Sequence, residues 1–103
     1  DNSFQCISCV YLFHELPRTI RAKVLNEFIR VLEPGGTLVL ADSIQINDSP
    51  DFISIMENFY KTFHEPFYCD YIKEDINSKL EEVGFKNVNS NSFFMTKVWS
   101  AVK

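Results

Sequence analysis

Glycine is scarce in this chain: 103 residues contain only Gly35, Gly36 and Gly84. None belongs to a G-x-G-x-x-G loop, so the sequence has no glycine turn that would let backbone approach a dinucleotide. No apolar run approaches the roughly 20 residues of a membrane-spanning helix. Basic residues are scattered and outnumbered, 10 against 14 acidic, for a formal net charge of −4. That balance forms no cationic footprint for nucleic acid or for anionic lipid. Ser, His and Asp are present, but no G-x-S-x-G elbow accompanies them, so a hydrolase reading lacks support. Internal repeats, linkers and low-complexity segments are also missing.

Cysteine is limited to three residues. Cys6 and Cys9 form a lone C-x-x-C pair inside a strand-like run. Side chains three apart on a strand point to opposite faces, and no second pair completes a zinc site. The expectation is no metal, buried thiols and a reducing, cytoplasmic setting.

What the chain does have is apolar material, with 46% hydrophobic and 15% aromatic residues. That is ample for a core and wrong for a disordered tail. A chain near this size buries roughly 60–70% of its unfolded surface. It is one domain or a piece of one.

Phe4 to Leu12 is strand-like and apolar on both faces, which suits a central parallel strand covered by helices on both sides. Pro17 opens a helix. Ile20, Val24, Leu25, Phe28, Val31 and Leu32 recur at helical spacing as one broad apolar stripe. Arg21 falls inside that stripe, so its stem is expected on the sheet and its head in water. Pro34 and Gly35-Gly36 stop the helix, and Thr37 to Ala41 is a second strand. Ser49-Pro50-Asp51 starts another helix, with an aromatic face of Phe52, Met56, Phe59, Tyr60 and Phe63. His64 to Tyr71 reads as an aromatic loop. Lys73 to Val83 reads as a third helix with Ile76, Leu80 and Val83 on one face, ended by Gly84. Phe85 to Asn89, a polar turn at 89–92, and Phe93 to Val102 form a closing antiparallel hairpin.

The ordered segments D-N-S-F-Q, F-H-E-L-P, R-V-L-E-P-G-G-T-L-V-L-A-D and L-E-E-V-G-F-K-N-V resemble the second half of a class I S-adenosylmethionine (SAM)-dependent methyltransferase, nearest its small-molecule branch. The resemblance implies an α/β fold, the C-terminal half of a Rossmann-like doubly wound sheet. That sheet is mainly parallel, with a C-terminal antiparallel hairpin whose last strand inserts between the two before it. Residues 1–103 then make a partial methyltransferase domain, strands four to seven of the family fold. The glycine loop and the ribose-binding acid lie in the other half, and Gln5 stands where the family usually has Asp. The chain therefore reads as a fragment of a longer enzyme, inactive alone.

Open parallel sheets bind ligands outside the carboxyl ends of their strands. His14 is the candidate catalytic residue, a general base by its ordinary pKa near 6.5, or else a cap for its turn. By resemblance, Tyr11, Phe13 and His14 are the cofactor-side residues; for Leu12, plain strand core is the stronger reading. Glu15, Asp42 and Ser43 are candidate substrate contacts; Asp42 either orients substrate or satisfies backbone in its turn. Gln45 is a weaker version of the same idea. Phe67, Tyr68 and Tyr71, with His64, sit where the family often builds a substrate lid, and would pack a flat or lipophilic molecule or simply cover the sheet. Asn89, Asn91 and Phe94 lie on the hairpin, whose turn points at the site because an antiparallel last strand returns from the carboxyl-end face; an ordinary polar turn is the stronger reading. Lys61, Lys73, Lys79 and Lys97 read as solvated charges. The expected cofactor is SAM, bound by the full-length parent. The expected partners are a small-molecule acceptor and, across the open edge of Phe4 to Leu12, the missing N-terminal half or a second copy. Competing readings are a non-catalytic module that dimerises through that edge and a doubly wound oxidoreductase.

Overall fold

The computed structural model describes residues 2–48, 53–63 and 67–103, with side chains left undescribed at 59–63. Strand β1 (Phe4–Val10) runs parallel to β2 (Leu32–Ser43), joined by helix α1 (Arg18–Val31). Helices α2 (Ile53–Phe63), α3 (Tyr68–Lys73) and α4 (Ile76–Val83) follow, then strands β3 (Lys86–Phe93) and β4 (Thr96–Val102). The sheet order is β1-β2-β4-β3. Strand β4 is antiparallel to both neighbours, so three strands point one way and the last is inserted between them, as the resemblance implies.

One face of the sheet carries the core. Leu38 pairs with Ala101 and Leu40 with Trp99 across β2 and β4, and all four are at most 2% exposed. Leu25 of α1, Met56 of α2, Tyr71 of α3 and Leu80 of α4 complete the same cluster. On the opposite face, Val39, Ala41, Val98, Ser100 and Val102 are only half-buried. Among the described residues β1 is an edge strand, paired with β2 alone, rather than the central strand expected from its apolar pattern. Ile7 and Cys9 pack against the core, whereas Phe4, Cys6, Ser8 and Val10 are exposed. The expectation of buried thiols therefore fails at Cys6, and Cys9 and Cys69 are only partly covered. Cys9 alternates onto the core face, where burial, and secondarily the Asp42 carboxylate, raises its thiol pKa.

Several boundaries differ from the sequence reading. The buried side of α1 is Arg21 and Leu25, while Ile20 is 37% exposed. The expected single helix from Lys73 is two, and the expected loop before it is largely α3. Glu74 is extended, and Asp75 caps α4 by accepting the Ser78 N–H at 3.1 Å. In the hairpin, the polar segment 89–92 is strand, and the turn is Phe94-Met95, with Phe94 at φ 58°. Pairing of Asn89, Asn91 and Ser92 with β4 outweighs the turn preference of Asn and Ser. Lys97 is not a solvated charge. It pairs with Asp48 at 2.8 Å and lies over the Trp99 ring. The expected helix start at 49–52 and His64 lie outside the described residues.

Gly84 ends α4 in the left-handed region at φ 118°, and a Cβ there would stand 3.2 Å from Ile29 Cδ1. Gly84→Ala should cost about 1–2 kcal/mol, the scale of left-handed strain in an L-residue. A lowered urea midpoint with an unchanged slope is the expected result.

Candidate functional site

The parallel register sets Val10 beside Ala41, so the residues after each strand meet at the carboxyl end of the sheet. Beyond β1 the chain turns sharply. Tyr11 takes φ 53° and its N–H bonds Ala41 O at 2.7 Å. Phe13–Glu15 then form one 3₁₀ turn. On β2, alternation that places Leu38 and Leu40 in the core places Asp42 there too, 2% exposed. A buried carboxylate needs donors, and the turn after β1 supplies them. Asp42 Oδ1 accepts from His14 Nδ1 at 2.8 Å and from the Ser43 N–H at 2.7 Å. The His14 N–H reaches Asp42 Oδ2 at 3.3 Å.

This arrangement fixes the imidazole. With a carboxylate acceptor at Nδ1, that nitrogen carries a proton, so in the neutral ring the lone pair is on Nε2. Glu15 Oε1 lies 3.8 Å from Nε2, on a half-exposed side chain. Three tyrosines stand edge-on to the ring, with centroids 6.4 Å (Tyr11), 5.9 Å (Tyr68) and 6.5 Å (Tyr71) away.

A cavity of about 220 Å³ opens beside His14. Its wall is Tyr11, Ser43 and Tyr68, with Ile55 and Met56 of α2 and Met95 of the hairpin turn. Ser43 donates to Ile44 O at 3.1 Å, so Tyr68 donates to Ser43 Oγ, 2.6 Å away. Tyr71 donates to Ser43 O at 2.5 Å. Burial raises the pKa of both phenols, opposed at Tyr68 by the Ser43 bond and reinforced at both by Asp42. Both therefore stay protonated as donors.

Of the residues singled out in sequence, Tyr11, His14, Ser43 and Tyr68 line this cavity, and Asp42 and Tyr71 stand directly behind it. Phe13 does not line it; its side chain turns into the core at 2% exposure. Leu12 is 40% exposed rather than core. Phe67 is 39% exposed and outside the wall. Gln45 is buried and holds α3 by donating to Tyr71 O and Glu74 O at 2.8 and 2.5 Å. Asn89 and Asn91 lie on β3, away from the turn. Sequence reading missed Ile55, Met95 and Thr96, whose hydroxyl bonds Tyr11 Oη. The only signal for the last two was the inference that the hairpin turn points at the site.

Below the turn, Arg21 and Arg18 of α1 meet Asp70 and Glu74. Arg21 Nε donates to Glu74 Oε1 at 2.8 Å, and its head pairs with Asp70. Arg18 Nε lies 3.1 Å from Asp70 Oδ2 and 3.3 Å from Glu74 Oε2. Arg21 is fully buried, so the expectation of a water-seeking head fails. The buried carboxylate of Glu74 and the side-chain acceptor Asp70 take its place.

Residues 1–40 match the family model described as a methyltransferase domain. An uncharacterized protein of Haemophilus influenzae is 29% identical over 96 residues, 93% of this chain and 37% of that protein. An O-methyltransferase family protein from Burkholderia thailandensis superposes with TM-score 0.73 at 12% identity, over 99% of this chain and 31% of that one. Human N-acetylserotonin methyltransferase in complex with SAM gives TM-score 0.70 at 12% identity, over 100% of this chain and 31% of that one. The resemblance to the methyltransferases holds. It rests on the family model over the first 40 residues and on the fold over the whole chain. The chain spans about a third of the length of these relatives.

SAM fits the described residues only in part. The cavity is smaller than the roughly 300–1,000 Å³ usual for ligand pockets. Gly35 and Gly84 sit at the opposite end of the sheet, Gly35 bonding Lys103 O and Gly84 leading into β3. The described residues thus form a wall and a polar pair, with no cradle for the adenosyl group. Nor, among them, do three or more His, Cys, Asp or Glu gather as metal ligands. No helix among them is long and apolar enough to cross a membrane.

Burial alone would raise the Asp70 pKa, but hydrogen bonds and charge from Arg18 and Arg21 outweigh it and hold the group below its ordinary 3.8. The stabilisation is complete above the unfolded value and lost as pH falls through the folded one. Asp70→Asn should therefore lower the melting temperature near pH 6 and flatten its decline below pH 4. Thermal denaturation across that range measures both effects.

Proposed function

We propose that this chain supplies the acceptor side of an enzyme that transfers a methyl group from SAM to a hydroxyl of a small, flat or lipophilic molecule. The observation that carries the reading is the His14–Asp42 pair at 2.8 Å, whose histidine lines an apolar cavity. The methyltransferase likeness in family model and fold supports it. SAM provides a methyl on a sulfonium, for which the enzyme mainly aligns donor and nucleophile and excludes water.

His14 Nε2 takes the hydroxyl proton as the acceptor oxygen becomes nucleophilic, and Asp42 stabilises the imidazolium that forms. The aromatic edges of Tyr11 and Tyr68 and the side chains of Ile55, Met56 and Met95 hold the acceptor's apolar body. The partial cavity and the spanned third of the relatives' length support a division of labour. In this reading SAM is bound chiefly by a glycine-loop half outside residues 1–103, docked along the exposed edge of β1 in a cytoplasmic enzyme, and residues 1–103 alone are inactive.

The second reading is a module without catalysis that dimerises through β1. It is favoured by the exposure of Phe4 (54%) and Val10 (63%) on an edge strand. Light scattering after size exclusion discriminates, since a stable monomer counts against it.

Calorimetric titration of SAM into residues 1–103 should give little or no heat, whereas a longer protein adding a glycine-loop half should bind. Tight binding by the short chain would sink the division of labour. In an active protein, His14→Gln should lower kcat about 10²–10⁴-fold, as for loss of a general base. Asp42→Asn should also reduce kcat by removing the carboxylate that sets the tautomer. Undiminished turnover in both variants would remove the acid–base role.

A further inference from the structure

The turn that carries His14 is held from below by a side chain with no part in the proton transfer. Arg21 lies in the apolar stripe of α1 at 0% exposure. Its guanidinium donates through NH1 to Leu16 O at 2.5 Å, with a longer 3.4 Å contact to Phe13 O. Through Nε it bonds Glu74, and through NH2 it bonds Asp70. One planar fork therefore joins three segments: the 3₁₀ turn, helix α3 and the link from α3 to α4.

We propose that Arg21 is a positioning residue for His14, fixing the turn that carries the imidazole against the helix that carries Tyr68 and Tyr71. The inference rests on the His14 reading above, but its test does not need activity.

Burying a guanidinium is costly, and apolar replacements of buried ion pairs are often neutral or stabilising. A leucine at position 21 would extend the stripe and pack on the sheet. What it cannot do is bond the carbonyl of Leu16 and two carboxylates at once, and a lysine cannot match that fork. The His14 residue is thus held from two sides. Its own N–H and ring are fixed by Asp42 from β2, and the carbonyls flanking it by Arg21 from α1. Asp70 lies between Tyr68 and Tyr71 on one short helix, so the same guanidinium sets the tyrosine wall relative to the imidazole. Arg18 provides an internal control. It pairs with the same two carboxylates and is 51% exposed; it bonds Asp70 and contacts Glu74 rather than the turn.

Amide hydrogen exchange read by NMR on the folded chain tests this. In Arg21→Lys the His14 and Leu16 amides should exchange at least about tenfold faster, the scale of a lost charge-assisted bond. The Leu38 and Leu40 amides of β2 should keep their rates. Arg18→Lys should leave the His14 turn unchanged. Uniform acceleration in Arg21→Lys, an unchanged turn, or equal loosening by Arg18→Lys would each overturn the proposal. Should Arg21→Lys not fold, Glu74→Gln keeps an acceptor for Nε while removing a charge, and loosening confined to the turn and α3 is expected there; its absence overturns the proposal. Exchange confined to the turn in a protein that never transfers methyl would refute the function and leave the positioning role standing.

Discussion

The geometry of this site depends on one buried carboxylate. Asp42 is where it is because strand alternation sends every second residue of β2 into the core, and position 42 is in phase with Leu38 and Leu40. A carboxylate so placed persists only if donors surround it. Those donors are the Ser43 N–H and both the backbone and ring N–H of His14, and they come from the end of β2 and from the turn that follows β1. The bond that satisfies Asp42 therefore also orients the imidazole and leaves Nε2 as acceptor. In the proposed reaction, structural need and chemical use are met by the same contact.

A second layer of polar contacts fastens the roof to this floor. Helix α3 is only six residues long, too short to be stable by itself. It is pinned at several places: Tyr71 to Ser43 O, Gln45 to the carbonyls of Tyr71 and Glu74, and Asp70 and Glu74 to Arg21. Each pin joins α3 to the end of β2 or to α1. The cavity wall formed by Tyr68 is thus set by residues far away in sequence. Among the described residues the sheet is covered by helices on one face, and β1 has a partner strand on one side only. That asymmetry leaves a cavity at one end of the sheet and, among the described residues, no cradle for an adenosyl group.

The sequence was legible where local rules and burial agree. The β1-α1-β2 unit is announced by two apolar runs around a helical stripe, and Gly84 marks the end of α4. The ends of those strands point to His14, Asp42 and Ser43. It misled where tertiary partners won over local preference. Asn and Ser at 89–92 look like a turn but pair along β4. Glu74 breaks what reads as one helix because its side chain turns inward to Arg21. Arg21 itself reads as an amphipathic stem with a wet head, and only the presence of two distant carboxylates makes its burial tolerable.

What the chain determines by itself is periodic: which segments are strands or helices, which face is apolar, and that polar residues cluster after the first two strands. Periodicity follows from backbone geometry, and each residue carries that information locally. What only the folded structure decided is pairing. That Asp42 meets His14 across 28 positions, that Arg21 meets Glu74 across 53, and that Thr96 meets Tyr11 across 85 follows from the parallel register and the inserted last strand. Such contacts satisfy buried polar groups, and no local preference encodes which distant partner will do so.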